Sequence, residues 1–425
     1  MEYFNAVIYS LLFAFCWAKR KCLNLAVLYS LIWAFSACLG IVYASSEYYR
    51  NAFYPTSLLP FIILFILFFI SLVPFLRQRK DLRYVDGKIK WLELLMIFIG
   101  AISVIPFFEL LYHIIELTIS GKIMLLGAMY DDIATGESNR IVELSRLSSI
   151  LYTYAKNFRI LSLVLFFYYI NQSYSKTYIL VGLILNSTLL LLNSLTMGNR
   201  TELVWYSIYF LSLYILFRKT FKEKIGLYVK RMIFYFGLLF ILIITILSFS
   251  RYVIGYGAKS SDVGGFLYQY TCESMYNFND NMYHEEGRLD GFLTFYPIQK
   301  SLGLTKVKDD TQSRLSYVSR HSSSPAHLFY TYIGDFWGDF GAAGAFFIVI
   351  LLSCFYLRYR PKETMYLEDI VLLSIYMYML GNGLFYYCYK VSYAPVFVAI
   401  IFYITAKLSR KPQIRNLWGF VGIYL

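Results

Sequence analysis

Apolar segments long enough to cross a membrane recur along almost the whole of this 425-residue chain, and one polar stretch, residues 250–325, interrupts them. A helix needs about 20 apolar residues to cross the roughly 30 Å hydrocarbon core of a bilayer. Hydrophobic residues make up 59% of the sequence and charged residues 15%, which is more apolar surface than a soluble domain can bury. The pattern predicts an all-α, polytopic integral membrane protein.

Eleven segments have the length and apolarity of a membrane span, or ten if the first lies in the membrane interface. Residues 1–18 have no basic region before their apolar run, so we expect no cleaved signal peptide there. The predicted spans lie near residues 3–18, 23–43, 57–76, 91–113, 149–171, 178–196, 203–217, 232–249, 340–357, 368–387 and 392–407. The predicted units are the first eight spans (1–249), a large loop (250–325), a re-entry segment with three spans (326–411) and a tail (412–425).

Lysine and arginine are distributed unequally between alternate loops, and this predicts the orientation of the chain. Short loops rich in these residues stay in the cytoplasm. On this rule the N-terminus and the 250–325 loop lie outside the cytoplasm, and the C-terminus lies inside. The net charge of +13 is then a topology signal and indicates no nucleic-acid partner. The basic loops lie near residues 19–21, 77–90, 176, 218–231, 358–362 and 407–415.

The large outer loop has nearly balanced charge and many aromatic side chains. Rings beside acids and amides suit a sugar, because its apolar face stacks on the rings while its hydroxyls bond to polar groups. The alternative is that these rings only dip into the membrane interface, where Tyr is common. Cys272 is alone in this loop, so no disulfide framework holds it.

The sequence contains no pattern for a nucleotide, dinucleotide or zinc site, and we expect neither a cofactor nor a metal. Two adjacent pairs, Asp131 with Asp132 and Asp309 with Asp310, do not change this, since neighbours on a helix or strand point apart. A chain without a nucleotide-binding domain needs a substrate that is already activated.

Cations at the outer ends of the spans are the first candidate site residues. Arg200 lies in the turn 197–202, with Asn199 as the predicted N-cap and Glu202 at capping-box spacing. A guanidinium beside a helix N-terminus favours an anion, above all a phosphate. Arg251 returns to the same depth after the eighth span, so the two arginines can converge on one diphosphate. The alternatives are a salt bridge to Glu202 for Arg200, and a helix C-terminal contact or an interfacial position for Arg251.

Lys156 and Arg159 are three positions apart on the outer half of the fifth span and are predicted to share a helical face. Cations at this depth are candidates for function. We expect them to be secondary anion contacts, and the alternative is that both extend to the interface if the helix starts later.

The re-entry into the membrane carries a second group of candidates. Asp335 and Asp339 are four apart and are predicted to face the same way at the outer mouth. His321 and His327 precede them, in a chain with four histidines, and a neutral histidine can take a proton from a hydroxyl. Four glycines here allow close helix contact or a broken helix: Gly334, Gly338, Gly341 and Gly344.

Three motifs, together with the span pattern and the single large outer loop, resemble the Wzy-type oligosaccharide repeat-unit polymerases, or O-antigen polymerases. They are GNRT at 198–201, YTCESMYNFN at 270–279 and DFGAAG at 339–344. The related O-antigen ligases carry a histidine, then a small polar residue, then a spaced Gly-x-x-Gly. Here His327, Gly338 and Gly341 keep the spacing, but Leu328 replaces the polar residue, which favours a polymerase.

The resemblance implies metal-independent glycosyl transfer at the outer face of the bacterial cytoplasmic membrane. The implied donor is a glycan on undecaprenyl diphosphate, and the acceptor is a hydroxyl of a newly flipped, lipid-linked repeat unit. A chain-length regulator and a flippase of the same pathway are the implied protein partners. The alternatives are an O-antigen ligase, which transfers glycan to lipid A core, and a lipid-linked oligosaccharide flippase.

The resemblance also implies roles for the candidate residues. Arg200 and Arg251 are expected to bind the diphosphate, with Lys156 and Arg159 as further anion contacts. The candidate bases are His321, His327 and Asp335. The residues expected to contact the substrate from the outer loop and the re-entry segment are Tyr270, Asn277, Arg288, Arg314, Arg320 and Asp339.

Overall fold

The computed structural model of this protein is almost entirely helical, with one pair of three-residue strands in the described part of the chain. The structure describes residues 1–45, 57–78, 80–122, 142–172, 174–250, 263–285, 289–308, 310–326 and 328–410. The strands are β1 (Tyr84–Asp86) and β2 (Thr364–Tyr366), and 3-10 turns cover Lys156–Phe158, Met282–His284 and Cys388–Lys390. The α-helices are α1 (Glu2–Arg20), α2 (Leu25–Ser45), α3 (Leu58–Leu76), α4 (Leu92–Ile119), α5 (Arg146–Ala155), α6 (Arg159–Tyr169), α7 (Thr177–Leu195), α8 (Thr201–Phe217), α9 (Glu223–Ser250), α10 (Val263–Asp280), α11 (Phe292–Ser301), α12 (Thr311–His321), α13 (Thr331–Leu357), α14 (Leu367–Asn382) and α15 (Ala394–Ser409).

Six helical stretches in the described ranges are long and apolar enough to cross a membrane. They are α2, α3, α4, the run α5–α6, α7 and α13. The helices α8 and α15 are also apolar but have 17 and 16 residues. The apolar residues of α3 occupy every side of the helix, which is typical of a membrane span rather than of a surface helix. The chain is an all-α polytopic membrane protein, as the sequence predicts, and the count of eleven spans stays a prediction.

Close packing of α4 against α7 depends on two glycines and one polar side chain. A Cβ on Gly182 would lie 2.8 Å from the Cα of Gly100, so neither position has room for a side chain. The amide of Asn186 donates to the Ser103 hydroxyl and to the Ala155 carbonyl, both at 2.9 Å. This buried hydrogen-bond network joins α4, the end of α5 and α7.

One end of the helical bundle gathers loops that are far apart in the sequence. The strands β1 and β2 pair in parallel, with Tyr84 opposite Thr364. Arg410, after α15, binds Asp86 at 3.0 Å and Glu368 at 2.8 Å. Three of the loops that the sequence predicts to be cytoplasmic therefore meet at this end, which we call the β1–β2 end.

The polar stretch of the sequence is helical where the structure describes it, and it packs against the spans. It contains α10, α11 and α12. The Ser36 hydroxyl of α2 donates to the Thr271 carbonyl of α10 at 2.8 Å. The Asn279 side chain bonds to both the N–H and the C=O of Ser57, before α3, at 2.9 and 2.7 Å. The helix α10 thus lies along α2 and the start of α3.

A break at Gly341 divides α13 into a buried first part and a more exposed, apolar second part. Gly341 has φ 64° and ψ −174°, a conformation that residues with a Cβ rarely adopt. Of the two alternatives that the glycines allow, close helix contact or a broken helix, the structure shows a break at Gly341. The predicted ninth span, 340–357, corresponds to the part of α13 that follows the break.

Candidate functional site

The two carboxylates of the re-entry segment are buried and bind different elements. Asp339 accepts hydrogen bonds from the backbone N–H groups of Leu293 and Thr294, at 2.8 and 2.7 Å, in the first turn of α11. Asp335 accepts from the N–H of Tyr387 at 2.7 Å and pairs with the Lys390 ammonium at 3.2 Å. Each carboxylate thus fastens α13 to a different neighbour, and both are buried rather than open to an outer mouth. That they share one helical face stays a prediction.

Arg159, at the start of α6, joins three helices. One guanidinium nitrogen lies 3.5 Å from the Glu202 carboxylate of α8, and another donates to the Tyr378 hydroxyl of α14 at 3.0 Å. The guanidinium carbon also lies 5.3 Å from the centre of the Tyr378 ring. A cavity of about 20 Å³, enough for one water molecule, adjoins this group.

Lys156 does not share these partners. It lies in the 3-10 turn before α6, with its ammonium 5.5 Å from the centre of the Tyr152 ring. The helical face predicted for Lys156 and Arg159 is interrupted by this turn, so the two cations contact different groups.

Arg200 is the N-cap of α8 and is 7% exposed. The predicted capping box is wrong. The Asn199 side chain instead accepts a hydrogen bond from the N–H of Thr201 at 2.9 Å, and Glu202 pairs with Arg159. Arg200 nevertheless lies at a helix N-terminus, two residues before a carboxylate bound by a second arginine. Arg251 lies outside the described residues, so its convergence with Arg200 stays a prediction.

Aromatic side chains connect Arg159 to Lys390. The Trp205 ring lies 6.3 Å from that of Tyr378 and 4.9 Å from that of Tyr386. Tyr386 also stacks on Phe329 at 5.5 Å, and the Lys390 ammonium lies 4.3 Å from its centre. We call Trp205, Phe329, Tyr378 and Tyr386 the aromatic cluster. Two cations thus lie at its edges, and Arg200 is the N-cap of the helix that carries Trp205.

Three buried polar side chains on the segments that carry or adjoin the aromatic cluster have atoms without a hydrogen-bond partner in the described part of the chain. Asn382, one helical turn after Tyr378, is fully buried, and neither of its amide atoms is bonded. The Trp205 Nε1 and the Asn277 Oδ1 are also unsatisfied. The amide nitrogen of Asn277 donates to the Phe329 carbonyl at 3.1 Å, which places Asn277 beside the cluster. Unsatisfied buried polar groups are rare in proteins, and a ligand or ordered water can satisfy them. The described part of this chain has further such atoms away from the cluster, among them Tyr9 Oη, Trp33 Nε1 and Gln78 Oε1.

The candidate residues on α12 form a separate group. The Arg314 guanidinium lies 4.5 Å from the centre of the Tyr296 ring. The His321 Nδ1 bonds to the Tyr317 carbonyl at 2.8 Å, and its ring stacks on that of Tyr317. Arg320 is exposed. These contacts belong to a small apolar core between α11 and α12, and no described contact brings these side chains to the aromatic cluster.

The cap of α12 is Asp310, whose carboxylate accepts from the Ser313 N–H at 2.7 Å. Hydrogen bonds from Ser313 lower the pKa of Asp310. Asp310 therefore serves as the N-cap of a helix. Asp309, Asp131 and Asp132 lie outside the described residues. In the described ranges no group of three or more His, Cys, Asp or Glu is arranged to hold a metal ion.

Several predicted site residues lie outside the described part of the chain: Arg251, Arg288, His327 and the side chain of Tyr270. Sequence reasoning in turn missed Trp205, Tyr378, Asn382, Tyr386 and Lys390. Lys390 had a usable signal, because it is one of few cations in the loops predicted to lie outside. Trp205, Tyr378 and Tyr386 occur in apolar spans, where aromatic residues are common and carry no signal of their own. Asn382, a polar residue inside a predicted span, offered a weak signal.

The fold and the site define a class, a multi-pass α-helical membrane protein with buried cations and aromatic rings at the ends of its helices. No protein-family model, no curated protein and no solved structure matches this chain.

Proposed function

We propose that the protein is a polysaccharide polymerase of the Wzy type. It transfers a glycan from undecaprenyl diphosphate to the terminal sugar of a lipid-linked repeat unit, at the outer face of the bacterial cytoplasmic membrane. The proposed topology has eleven spans with the N-terminus outside. The candidate site then lies on the outer side, opposite the basic loops of the β1–β2 end.

The observation that carries the proposal is the set of unsatisfied polar atoms on the segments that carry or adjoin the aromatic cluster. Asn382, Trp205 and Asn277 offer buried hydrogen-bonding groups without partners in the described residues. Sugar hydroxyls donate and accept hydrogen bonds, and aromatic rings such as Tyr386 pack against the apolar face of a sugar. The cluster is thus suited to a carbohydrate next to an anion-binding helix N-terminus.

In the proposed reaction, an acceptor hydroxyl oxygen attacks the anomeric carbon of the donor glycan. The bond between that carbon and the diphosphate oxygen breaks, and the electron pair leaves with the diphosphate. Arg200, at the N-terminus of α8, stabilises the charge that develops on this leaving group. Arg159 holds the first turn of α8 in place through Glu202, so its role is positioning.

The proton of the attacking hydroxyl needs an acceptor. Asp335 already pairs with Lys390 and accepts from the Tyr387 N–H, which makes it a weak candidate for the base. His321 is bonded to its own helix and has no described contact with the cluster. His327 lies outside the described residues and remains a candidate.

Purified protein in proteoliposomes, supplied with a lipid-linked repeat unit, tests the proposal. A ladder of products on a gel is the expected result. A single adduct that forms only when lipid A core is added would indicate a ligase. Movement of the lipid-linked unit between leaflets without a new glycosidic bond would indicate a flippase, and either result would overturn the proposal.

A further inference from the structure

A cavity of about 330 Å³ lies at the β1–β2 end, between the end of α13 and the start of α14. Its volume falls within the roughly 300–1,000 Å³ of small-molecule pockets. It is far from the aromatic cluster in the fold, because it is at the other end of α14. The side chains that matter for its chemistry are Tyr84, Asp86, Arg358, Tyr359, Lys362 and Asp369.

The cavity contains charges of both signs, and three of its charged side chains make no ion-pair contact among the described residues. Asp86 is paired with Arg410 at 3.0 Å. In contrast, no ion pair of the described residues involves Arg358, Lys362 or Asp369. Two cations and one carboxylate are therefore available in one pocket, which suits a ligand that itself carries both an anion and a hydrogen-bond donor.

An exposed apolar stripe on α13 leads to this cavity. Phe347, Leu351 and Phe355 are 67%, 55% and 48% exposed, and they follow one another at single-turn spacing. Arg358 continues the same helical face. At about 1.5 Å per residue the helix rises about 16 Å from Phe347 to Arg358. This is close to half of the roughly 30 Å hydrocarbon core, which is the depth of one leaflet.

We propose that this cavity binds the headgroup of a phosphatidylethanolamine-type phospholipid, with one acyl chain along the stripe of Phe347, Leu351 and Phe355. The phosphate contacts Arg358 and Lys362, because cations at a span end attract lipid phosphates. The primary ammonium donates to Asp369. Asp369 already has Lys362, Lys407 and Arg410 in its electrostatic surroundings, none of them in ion-pair contact with it. The ammonium of a zwitterionic headgroup adds a direct contact to this carboxylate that an anionic headgroup cannot make. The site is independent of the proposed glycosyl transfer.

Native mass spectrometry of the full chain in detergent measures the binding directly. Phosphatidylethanolamine, phosphatidylcholine and phosphatidylglycerol with identical acyl chains are the probes. We expect phosphatidylethanolamine to bind about fivefold more tightly than phosphatidylcholine, whose quaternary ammonium has no N–H, since an exposed charge-assisted contact contributes about 1 kcal/mol. Asp369→Asn should make these two lipids equal.

The double variant Arg358→Gln/Lys362→Gln should lower the affinity for phosphatidylethanolamine about tenfold. Lys219→Gln is the matched control, an exposed lysine on a different basic loop, and should bind as the unmodified chain does. Arg358 and Lys362 are both exposed, so folding should be unaffected, and Lys362→Gln alone offers a milder second variant. Three results would each overturn the proposal. The unmodified chain could bind phosphatidylethanolamine and phosphatidylcholine equally, it could bind phosphatidylglycerol more tightly than phosphatidylethanolamine, or the double variant could bind phosphatidylethanolamine as the unmodified chain does.

Discussion

Arg159 and Glu202 form an ion pair between α6 and α8 that is largely buried, with side chains 17% and 19% exposed. Tyr378 of α14 accepts a hydrogen bond from the same guanidinium. Glu202 lies in the first turn of α8, two residues after Arg200. The pair therefore sets the position of the helix end at which Arg200 lies, and its loss should disturb the site as well as the fold.

Arg159→Met should destabilise the protein by about 3 kcal/mol, because the buried Glu202 carboxylate loses its counter-ion. The double variant Arg159→Met/Glu202→Leu removes both charges and should recover most of that loss. Thermal unfolding in micelles, followed by circular dichroism, measures the difference. If the double variant is as unstable as Arg159→Met, the destabilisation does not come from an unpaired carboxylate.

Arg200→Ala should lower the polymerisation rate about 100-fold while membrane insertion stays normal. The physical reason is the loss of a preorganised cation at the leaving diphosphate. The measurement is product length and amount in proteoliposomes, with insertion checked by carbonate extraction. Arg146→Ala is the matched control, since Arg146 is an exposed arginine in the first turn of α5. A normal product ladder from Arg200→Ala would contradict the assigned role.

The features that the sequence predicted correctly are those encoded over short distances. Helical spans follow from local hydropathy, and the spaced glycines of the re-entry segment allowed a break such as the one at Gly341. The contacts of Arg159 were not predictable in this way, because they join residues 43 and 219 positions apart. Which helices become neighbours is decided by packing of the whole chain.

The wrong prediction at Asn199 has a local cause. Asn favours both helix N-caps and short turns, since its side chain can bond to a backbone N–H two residues later. Here it bonds to Thr201 in that way, and α8 begins one residue later than a capping box requires. Glu202 is then free to pair with Arg159, a choice that depends on α6 rather than on the motif.

Asn382 and Asn186 allow one substitution to be compared in two environments. Both side chains are fully buried, but Asn186 is hydrogen-bonded through its amide, whereas Asn382 has no partner in the described residues. Asn382→Leu should leave the free energy of unfolding unchanged or slightly improved, because an unsatisfied polar group is removed. It should lower polymerisation about tenfold, since a contact to the sugar is lost.

Asn186→Leu should behave in the opposite way and destabilise the protein by about 2 kcal/mol, because its hydrogen bonds to Ser103 and Ala155 are lost. Thermal unfolding and the polymerisation assay are run on both variants. A large loss of stability from Asn382→Leu would mean that Asn382 has a structural partner, and the argument for an unfilled hydrogen-bonding site would fail.

Arg410 and Glu368 provide a test of the β1–β2 end that is independent of activity. Glu368 is 2% exposed, and two nitrogens of Arg410 lie 2.8 and 2.9 Å from its carboxylate oxygens. Arg410→Ala should destabilise the protein by about 3 kcal/mol, because a buried carboxylate is left unpaired. Glu368→Gln/Arg410→Met should be milder, since no buried charge remains.

Lys80→Ala, which removes an exposed pair with Glu363, is the control and should cost less than about 1 kcal/mol. Arg410 also binds Asp86, the last residue of β1, which pairs with β2. Hydrogen exchange of the backbone amides of residues 84–86 should therefore rise in Arg410→Ala and stay unchanged in Lys80→Ala. Equal exchange in the two variants would show that Arg410 does not hold the strands together.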